Sequence, residues 1–510
     1  MIQQNDTTTL LNQADSQTLI AQGDAVGSWQ LLSYKDPVLP IHAALLHTGK
    51  VLFFSGSGNN PKNTDCRNCS AVWDVSQGNF SRPKTPLDGT GQPIDIFCAG
   101  QSFRPDGSLI VAGGTMQYDP FHGLPSTLSF NPTTEEWKKV GSMHSGRWYP
   151  TLITLGNGRV LALSGLDENG MITNYPEIYS GSTGWSAFSY PTSPFQLYSH
   201  LFLLSSGQLF YSGAYFGASN KGVTPRRLIL PKTFTQAIAE REVYGLQAKD
   251  FGNQAASVLL PPAQSQKVMI IGGGGFTYQT LEQGNKRKAA VIKATNRVNI
   301  VDLTASNPIY RAAASLHYAR MHHSAVLLPD RTVFVCNGSQ MNEDTKKSML
   351  PAEIYNPATN TWTVAGRQRV ARVYHSVALL LPDGRVLTAG GNPKRTVEEL
   401  RLEIYSPAYM SQTRPVIQSA PQTVRGGGTI TIQTPQAGSI QWVSLIKPMA
   451  TTHTCDTEQR LVDLPITAST STSLTAEVTS NRNLAPPAWY MLFITDKNNV
   501  PSVANWIQLR

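Results

Sequence analysis

Short apolar runs, each followed by a turn and a second apolar run that ends in glycine, recur along most of the chain. Copies read HAALLHTGKVLFFSG from His42, QSFRPDGSLIVAGG from Gln101, PTLITLGNGRVLALSG from Pro150 and SHLFLLSSGQLFYSG from Ser199. They continue with QAASVLLPPAQSQKVMIIGGGG from Gln254, HSAVLLPDRTVFVCNG from His323 and HSVALLLPDGRVLTAGG from His375. Each copy joins two buried-strand runs through a tight turn, often Asp-Gly, Asn-Gly or Ser-Gly, and so predicts a β-hairpin. Between copies lie second hairpins marked by spaced aromatic pairs: Phe130 and Trp137, Tyr179 and Trp185, Tyr355 and Trp362.

The seven copies recur every ~50 residues, the period of a kelch repeat. A four-stranded unit of this kind cannot bury both faces alone, so the copies must close into a ring. The pattern predicts an all-β protein, a seven-bladed kelch β-propeller over residues 26–412. After Pro415 the repeat stops. The runs TITIQT, IQWVSLI, SLTAEV, WYMLFIT and NWIQL then predict a compact Ig-like β-sandwich over 413–510. Residues 1–25 read as a polar arm with a helical turn or two.

Of the 510 residues, 15% are charged, and 41 Gly and 33 Pro supply the turns that many short strands need. The formal net charge is +9, but the basic residues do not cluster. The densest run, Lys286-Arg287-Lys288, sits in a predicted loop. Nucleic acid is therefore not an expected partner. No apolar stretch is long enough for a membrane-spanning helix. A Gly-rich strand-to-helix fingerprint and a nucleophile elbow are both missing, which disfavours a nucleotide-dependent enzyme or a serine hydrolase.

Five cysteines leave one unpaired. Cys66 and Cys69 form a C-x2-C without further ligands at zinc spacing, so a short-loop disulfide or two thiols is expected. Cys336 sits in a strand-like run and reads as a buried small residue. Four segments stand apart from the repeat: FCAGQ around Cys98, GRWYP around Tyr149, RVYHS around Tyr374 and His375, and TTHTCDTEQR around His453. Three of them fall at or just before a predicted inner strand, where side chains approach a propeller's axis. Imidazoles and phenols together suit Cu(II) better than zinc or magnesium. Taken singly, each residue also has a structural reading. Tyr149 and Tyr374 could pack the channel. His375 could satisfy a backbone carbonyl, as His323 would at the equivalent blade position. Cys98 could be a buried small residue and His453 a surface one. Spacing does not join the five.

A resemblance does. From about residue 27 onward the chain resembles the copper radical oxidases, the family of galactose oxidase and glyoxal oxidase. FCAGQSFRPDG is similar to the segment carrying the cross-linked cysteine, and GRWYPTLITLGNGRV to the glyoxal oxidase form of the segment carrying its tyrosine. ARVYHSVALLLPDGRVLTAGGN resembles the segment with the axial tyrosine and a histidine ligand, and TTHTCDTEQR the C-terminal motif with the second histidine. The closing strands LAPPAWYMLFITDKNNVPSVANWIQL match as well. The resemblance implies one copper held by Tyr149, Tyr374, His375 and His453, with a Cys98–Tyr149 thioether serving as a radical cofactor. Tyr374 would take the substrate proton, and a hairpin of the C-terminal domain would carry His453 to the axis. The implied reaction oxidises a primary alcohol, an aldehyde or a sugar terminus, with O2 reduced to hydrogen peroxide. A monomer is expected, and the resemblance favours a secreted or cell-surface location, although residues 1–25 lack the basic and apolar regions of a signal peptide.

Two departures qualify the match. The stretch before Trp29 has no room for the carbohydrate-binding domain of galactose oxidase. The tryptophan that covers the cross-link has no evident counterpart, with Tyr198, Tyr215, Phe216 and Trp148 as candidates. Cys455 is expected on a strand, on the same side as His453, as a soft ligand, an oxidation hazard or a buried thiol. A kelch propeller that binds a glycan or protein without catalysis is the competing reading. Such a module has no need of Cys98, Tyr149, Tyr374, His375 and His453 together.

Overall fold

The computed structural model describes residues 26–65, 69–217, 223–247, 252–275 and 293–510. Seven four-stranded antiparallel units surround a common axis, each with its first strand innermost. The inner strands are His42–Leu45, Gly100–Phe103, Thr151–Thr154, Leu201–Leu203, Ala256–Leu259, Met321–Leu327 and Ser376–Leu380, in blades 1 to 7. All seven predicted hairpins form. The aromatic pairs meet directly across the outer hairpins, Phe130 opposite Trp137, Tyr179 opposite Trp185 and Tyr355 opposite Trp362. Among the described residues no helix is long and apolar enough to cross a membrane. The polar arm, Cys66 and the Lys286-Arg287-Lys288 run lie outside the described residues.

Ring closure uses both ends of the repeat. Gly27–Lys35 precedes blade 1 in sequence, yet it pairs with Arg401–Pro407 as the outermost strand of blade 7. At the inner end of the same seam, a Cβ added to Gly390 would lie 2.4 Å from the Pro40 carbonyl oxygen. Its φ of 78° is equally closed to other residues.

Three blades share a brace that the hydropathy pattern does not reveal. Arg147, Arg320 and Arg372 are fully buried and face the buried carboxylates Glu177, Glu353 and Glu403 at 2.8, 2.5 and 3.5 Å. Each guanidinium also donates to two carbonyls of the blade it leads into, such as Asn337 and Pro351 for Arg320. Each carboxylate in turn accepts a backbone N–H from the segment just ahead of its arginine, at His144, His317 and Arg369. The approach to the inner strand is thereby fixed.

The C-terminal domain stacks a five-stranded sheet on a three-stranded one, the sandwich the sequence predicts. Its strand Ile440–Lys447 continues past the sheet into a hairpin, Ala450–Thr452 and Cys455–Asp456, that enters the propeller channel. Ala450–Thr452 adds to the inner edge of blade 1, with Thr452 opposite His42. The hairpin and its flanks then bond around the ring. Ser102 of blade 2 donates to Glu458 at 2.5 Å, and Thr457 donates to the Leu152 carbonyl of blade 3. Arg460 reaches the Leu203 carbonyl of blade 4, and Thr454 the Ala255 carbonyl of blade 5. The Gln459 amide bonds Ala325 and Leu327 of blade 6, and Ala450–Thr452 packs on the inner strand of blade 7. Lys447 and Glu458 form a buried ion pair where the hairpin leaves its sheet.

The braces generate a stability test. Glu353→Ala strands Arg320 as a buried unpaired cation and should cost about 3–5 kcal/mol in denaturant unfolding. The double replacement Arg320→Met with Glu353→Leu should cost less than the single one, because no charge is left unpaired. A double variant less stable than the single would show that the carbonyl bonds, not the pair, hold the brace.

Candidate metal centre

Six of the seven inner strands are entered through a non-glycine residue in the left-handed region: Cys98, Tyr149, Tyr198, Gln254, His322 and His375, with φ of 61, 63, 42, 56, 57 and 61°. Pro40 stands at the seventh position. Such backbone is strained by ~1 kcal/mol or more and persists only where surroundings enforce it. Here successive blades tie these residues together: Tyr149 N–H donates to the Cys98 carbonyl at 2.9 Å, Tyr198 to Tyr149 and His322 to Gln254, both at 3.0 Å. The strained turn aims each side chain into one end of the channel. Blade 7 has one residue more than its relatives between the bracing arginine and this position. Arg147 and Arg320 precede Tyr149 and His322 by two, whereas Arg372 precedes His375 by three, and the added residue is Tyr374.

His453 arrives from the other direction. It and Thr454 are the two central residues of the channel hairpin's turn, with φ of 49 and 69°. Those are the signs of a type I′ turn, ordinarily filled by Asn-Gly. At the tip, His453 Nε2 lies 2.9 Å from Tyr149 Oη and 4.0 Å from Cys98 Sγ. Tyr149 Oη is hydrogen-bonded in turn to Tyr374 Oη. One candidate ligand atom from each of Cys98, His375 and His453 falls within 4.8 Å of the others. All five residues that the resemblance implies are brought together.

Hydrogen bonding fixes both imidazoles in the same tautomer. The Thr452 hydroxyl donates its only hydrogen to the Ile41 carbonyl, so toward His453 Nδ1, 2.6 Å away, it accepts. His453 Nδ1 therefore carries the proton and Nε2 the lone pair. The Asn392 amide donates to the Lys394 and Val397 carbonyls, leaving its oxygen to accept from His375 Nδ1 at 3.1 Å. His375 Nε2 is buried without a hydrogen-bond partner among the described residues. Burial holds His375 down to about 3 and pushes His453 well below its ordinary value, with His375 and His42 adding to the effect. Both rings are thus neutral with nitrogen lone pairs facing one small space. Those are the requirements of metal-ligating histidines with fixing partners behind them. Burial, then Cys98 and Tyr374, raises the Tyr149 phenol; burial, then Cys98 and Glu343, raises Tyr374. A cation between them reverses that balance, since it stabilises phenolate. The donor set fits a transition metal.

Aromatic rings wall the site. Trp148 stacks on Tyr149 with centroids 3.7 Å apart and planes 11° from parallel, and Phe121 stacks on Trp148 at 4.2 Å. Of the candidates for the covering ring, Trp148 makes the parallel contact. Tyr198 is tilted at 4.5 Å, donating to the Ala99 carbonyl, and Phe216 meets Tyr149 edge-on while stacking on Tyr374. Cys98, Tyr149, His375 and His453 are buried, and Tyr374 alone of the five is partly exposed. The site opens toward solvent on that side.

Two sequence expectations are corrected. The counterpart of His375 is His322, not His323: each stands eight residues ahead of its turn aspartate, Asp383 and Asp330, with the same left-handed backbone. His375 bonds an asparagine side chain rather than a carbonyl. Cys455 does not share a strand face with His453, because the chain reverses between them and Cys455 pairs opposite Thr452. It is a buried thiol, outside the group of potential ligand atoms, and burial pushes its pKa up. The sequence reading missed Thr452 and Asn392. Their signal is weak, since a polar residue near a ligand looks like any other until the hydrogen bond is visible. Aligning the repeats on the turn aspartate would have exposed His322.

Residues 55–409 match the family model described as glyoxal oxidase N-terminus, and residues 414–509 match the galactose oxidase-like early set domain. The chain is 28% identical to a galactose oxidase of Gibberella zeae, over 93% of this chain and 69% of that protein. It is 26% identical to the aldehyde oxidase GLOX of Vitis pseudoreticulata, over 96% and 98% of the two chains. The solved structure of a fungal alcohol oxidase in complex with copper superposes with a TM-score of 0.79 at 24% identity, covering 95% of this chain and 99% of that one, a likeness of fold. With the propeller matched through all but its first strands and the sandwich nearly whole, the chain belongs to the glyoxal oxidase family, completed by a galactose oxidase-like early set domain.

Proposed function

We propose that this protein is a copper radical oxidase that converts a primary alcohol to an aldehyde, or a hydrated aldehyde to an acid, with O2 reduced to hydrogen peroxide. The observation that carries this reading is the pair of neutral imidazoles, His375 and His453, each locked with its lone pair on Nε2, beside the hydrogen-bonded phenols of Tyr149 and Tyr374. Relatives named galactose oxidase and aldehyde oxidase support the same class of reaction. His375 Nε2, His453 Nε2 and the oxygens of Tyr149 and Tyr374 would hold the metal. Copper, when bound, supplies one of the two oxidising equivalents by cycling between its two oxidation states.

The chain's own residues do the rest. Cys98 would be joined through sulfur to a ring carbon of Tyr149; the thiol and ring hydrogens leave, and their electrons go to O2. The conjugated phenol loses an electron more readily than tyrosine and holds the second oxidising equivalent. Trp148, lying flat on that ring, shields it from water. Tyr374, on the partly exposed side, accepts the substrate's hydroxyl proton as general base. Tyr149 oxygen takes a hydrogen atom from the carbinol carbon. With the one electron that copper would accept also removed, the substrate has lost two protons and two electrons, and their transfer to O2 gives hydrogen peroxide: RCH2OH + O2 yields RCHO + H2O2. The non-catalytic alternative leaves two orienting partners, Thr452 and Asn392, without a purpose.

Metal analysis checks the ligands. Either His375→Ala or His453→Ala should abolish stoichiometric copper, and undiminished copper in both would overturn the assignment. Thr452→Val and Asn392→Ala keep every ligand but release an imidazole from its partner. They should weaken copper binding about 10–100-fold in competition with a chelator.

Mass spectrometry checks the cofactor. Copper-loaded, aerated protein should weigh less than its sequence by the two hydrogens lost in forming the C–S bond, and should run faster on a reducing denaturing gel. Cys98→Ser should retain copper but lose about a hundredfold or more in kcat, equivalent to ~3 kcal/mol on the barrier. Recovery of Cys98 as an alkylatable thiol in active wild-type protein would refute the cross-link.

A further inference from the structure

His322 is delivered to the mouth of the site by the same left-handed position that delivers Cys98, Tyr149 and His375 in their own blades. Its ring centroid lies 5.5 Å from that of Tyr374 and 6.2 Å from that of Phe216. The residue is 4% exposed, yet its Nε2 has no hydrogen-bond partner among the described residues. A buried, unpaired nitrogen is unfavourable, and a position that served only packing would be better filled by an apolar ring. His322 is also not in the group of potential ligand atoms formed by Cys98, His375 and His453. It is a polar group held beside Tyr374, on the side where the site meets solvent, with no partner for Nε2 among the described residues.

The oxidation itself engages one oxygen of the substrate, whose proton passes to Tyr374. A hydrated aldehyde, RCH(OH)2, brings a second hydroxyl on the same carbon, which a monoalcohol lacks. We propose that His322 Nε2 hydrogen-bonds this second hydroxyl, making His322 a specificity-determining residue that favours hydrated aldehydes over simple monoalcohols. This assignment rests on the oxidase reading above and adds the residue that distinguishes its two substrate types. An imidazole nitrogen can donate to or accept from a hydroxyl, so either orientation of the second hydroxyl finds a partner there. Phe216, stacked on Tyr374 and near His322, offers an apolar surface suited to the substrate's R group.

The test compares the wild type with His322→Phe and His322→Gln in the copper-loaded protein. The first readout is the ratio of kcat/KM for methylglyoxal, which is largely hydrated in water, to kcat/KM for 1-propanol. The second is the affinity for hydrated trifluoroacetone, a geminal diol with no hydrogen to abstract, titrated by its effect on the copper absorption spectrum. His322→Phe should lower the ratio and weaken the diol about tenfold each, the value of one neutral hydrogen bond. His322→Gln should recover part of both. Thermal stability of His322→Phe should hold or rise, because an unpaired nitrogen is removed; a purely structural histidine would lose stability instead. A wild type that neither binds copper nor turns over either substrate would overturn the oxidase reading and this assignment with it. An active, copper-loaded wild type whose ratio and diol affinity are unmoved by both substitutions would overturn the His322 assignment alone.

Discussion

The channel hairpin is the element on which the rest of the structure depends. A seven-bladed ring leaves an open axis lined by the inner edges of seven sheets, with unpaired backbone groups and buried polar side chains facing it. Residues 447–460 enter that space, extend the blade 1 sheet and bond or pack against every other blade in turn. The two domains are therefore not a catalytic unit and an accessory. One supplies the wall of the site and the other its centre, and the histidine at the hairpin tip stands at the point where they meet.

Strain at the ring position is the counterpart of that insertion. Non-glycine residues avoid the left-handed region, yet six blades adopt it at the step before the inner strand. The buried Arg–Glu braces, the cross-blade backbone bonds and close glycine contacts hold the turns in place. The result is a set of side chains aimed at one level of the axis from different directions. Each of the six blades contributes one residue type by substitution at a like turn: a thiol, a phenol, an imidazole or an amide. The propeller's share of the candidate centre is a specialised use of a repeat position, with Tyr374 added in blade 7, and the C-terminal hairpin supplies His453.

Electrostatically, the site is arranged for a cation. Burial keeps the imidazoles neutral and the phenols protonated, so these side chains by themselves carry little charge, which makes their burial tolerable. Thr452 and Asn392 determine which nitrogen of each imidazole carries the lone pair before any metal arrives. The aromatic shell of Trp148, Phe121, Tyr198 and Phe216 keeps water from the Tyr149 ring while leaving Tyr374 within reach of solvent. The Tyr374 side of the site is thus open and the Tyr149 ring closed.

The repeat, its hairpins, the aromatic pairs and the change of domain after Pro415 were all legible in the sequence, because strand alternation and turn chemistry are local and are repeated seven times. The five residues of the centre were legible only through resemblance. Cys98 and Tyr149 are one period apart and so fall in neighbouring blades, but no spacing rule connects them to His453, which reaches them from another domain. Tertiary structure decided the rest. It placed His453 in a turn rather than on a strand, sent Cys455 back along the opposite side, chose Trp148 as the covering ring and made His322 the counterpart of His375. Each of these depends on which way a side chain leaves the backbone. That direction changes with a single φ angle or a one-residue shift in register, a difference that a pattern of apolar and polar positions does not encode.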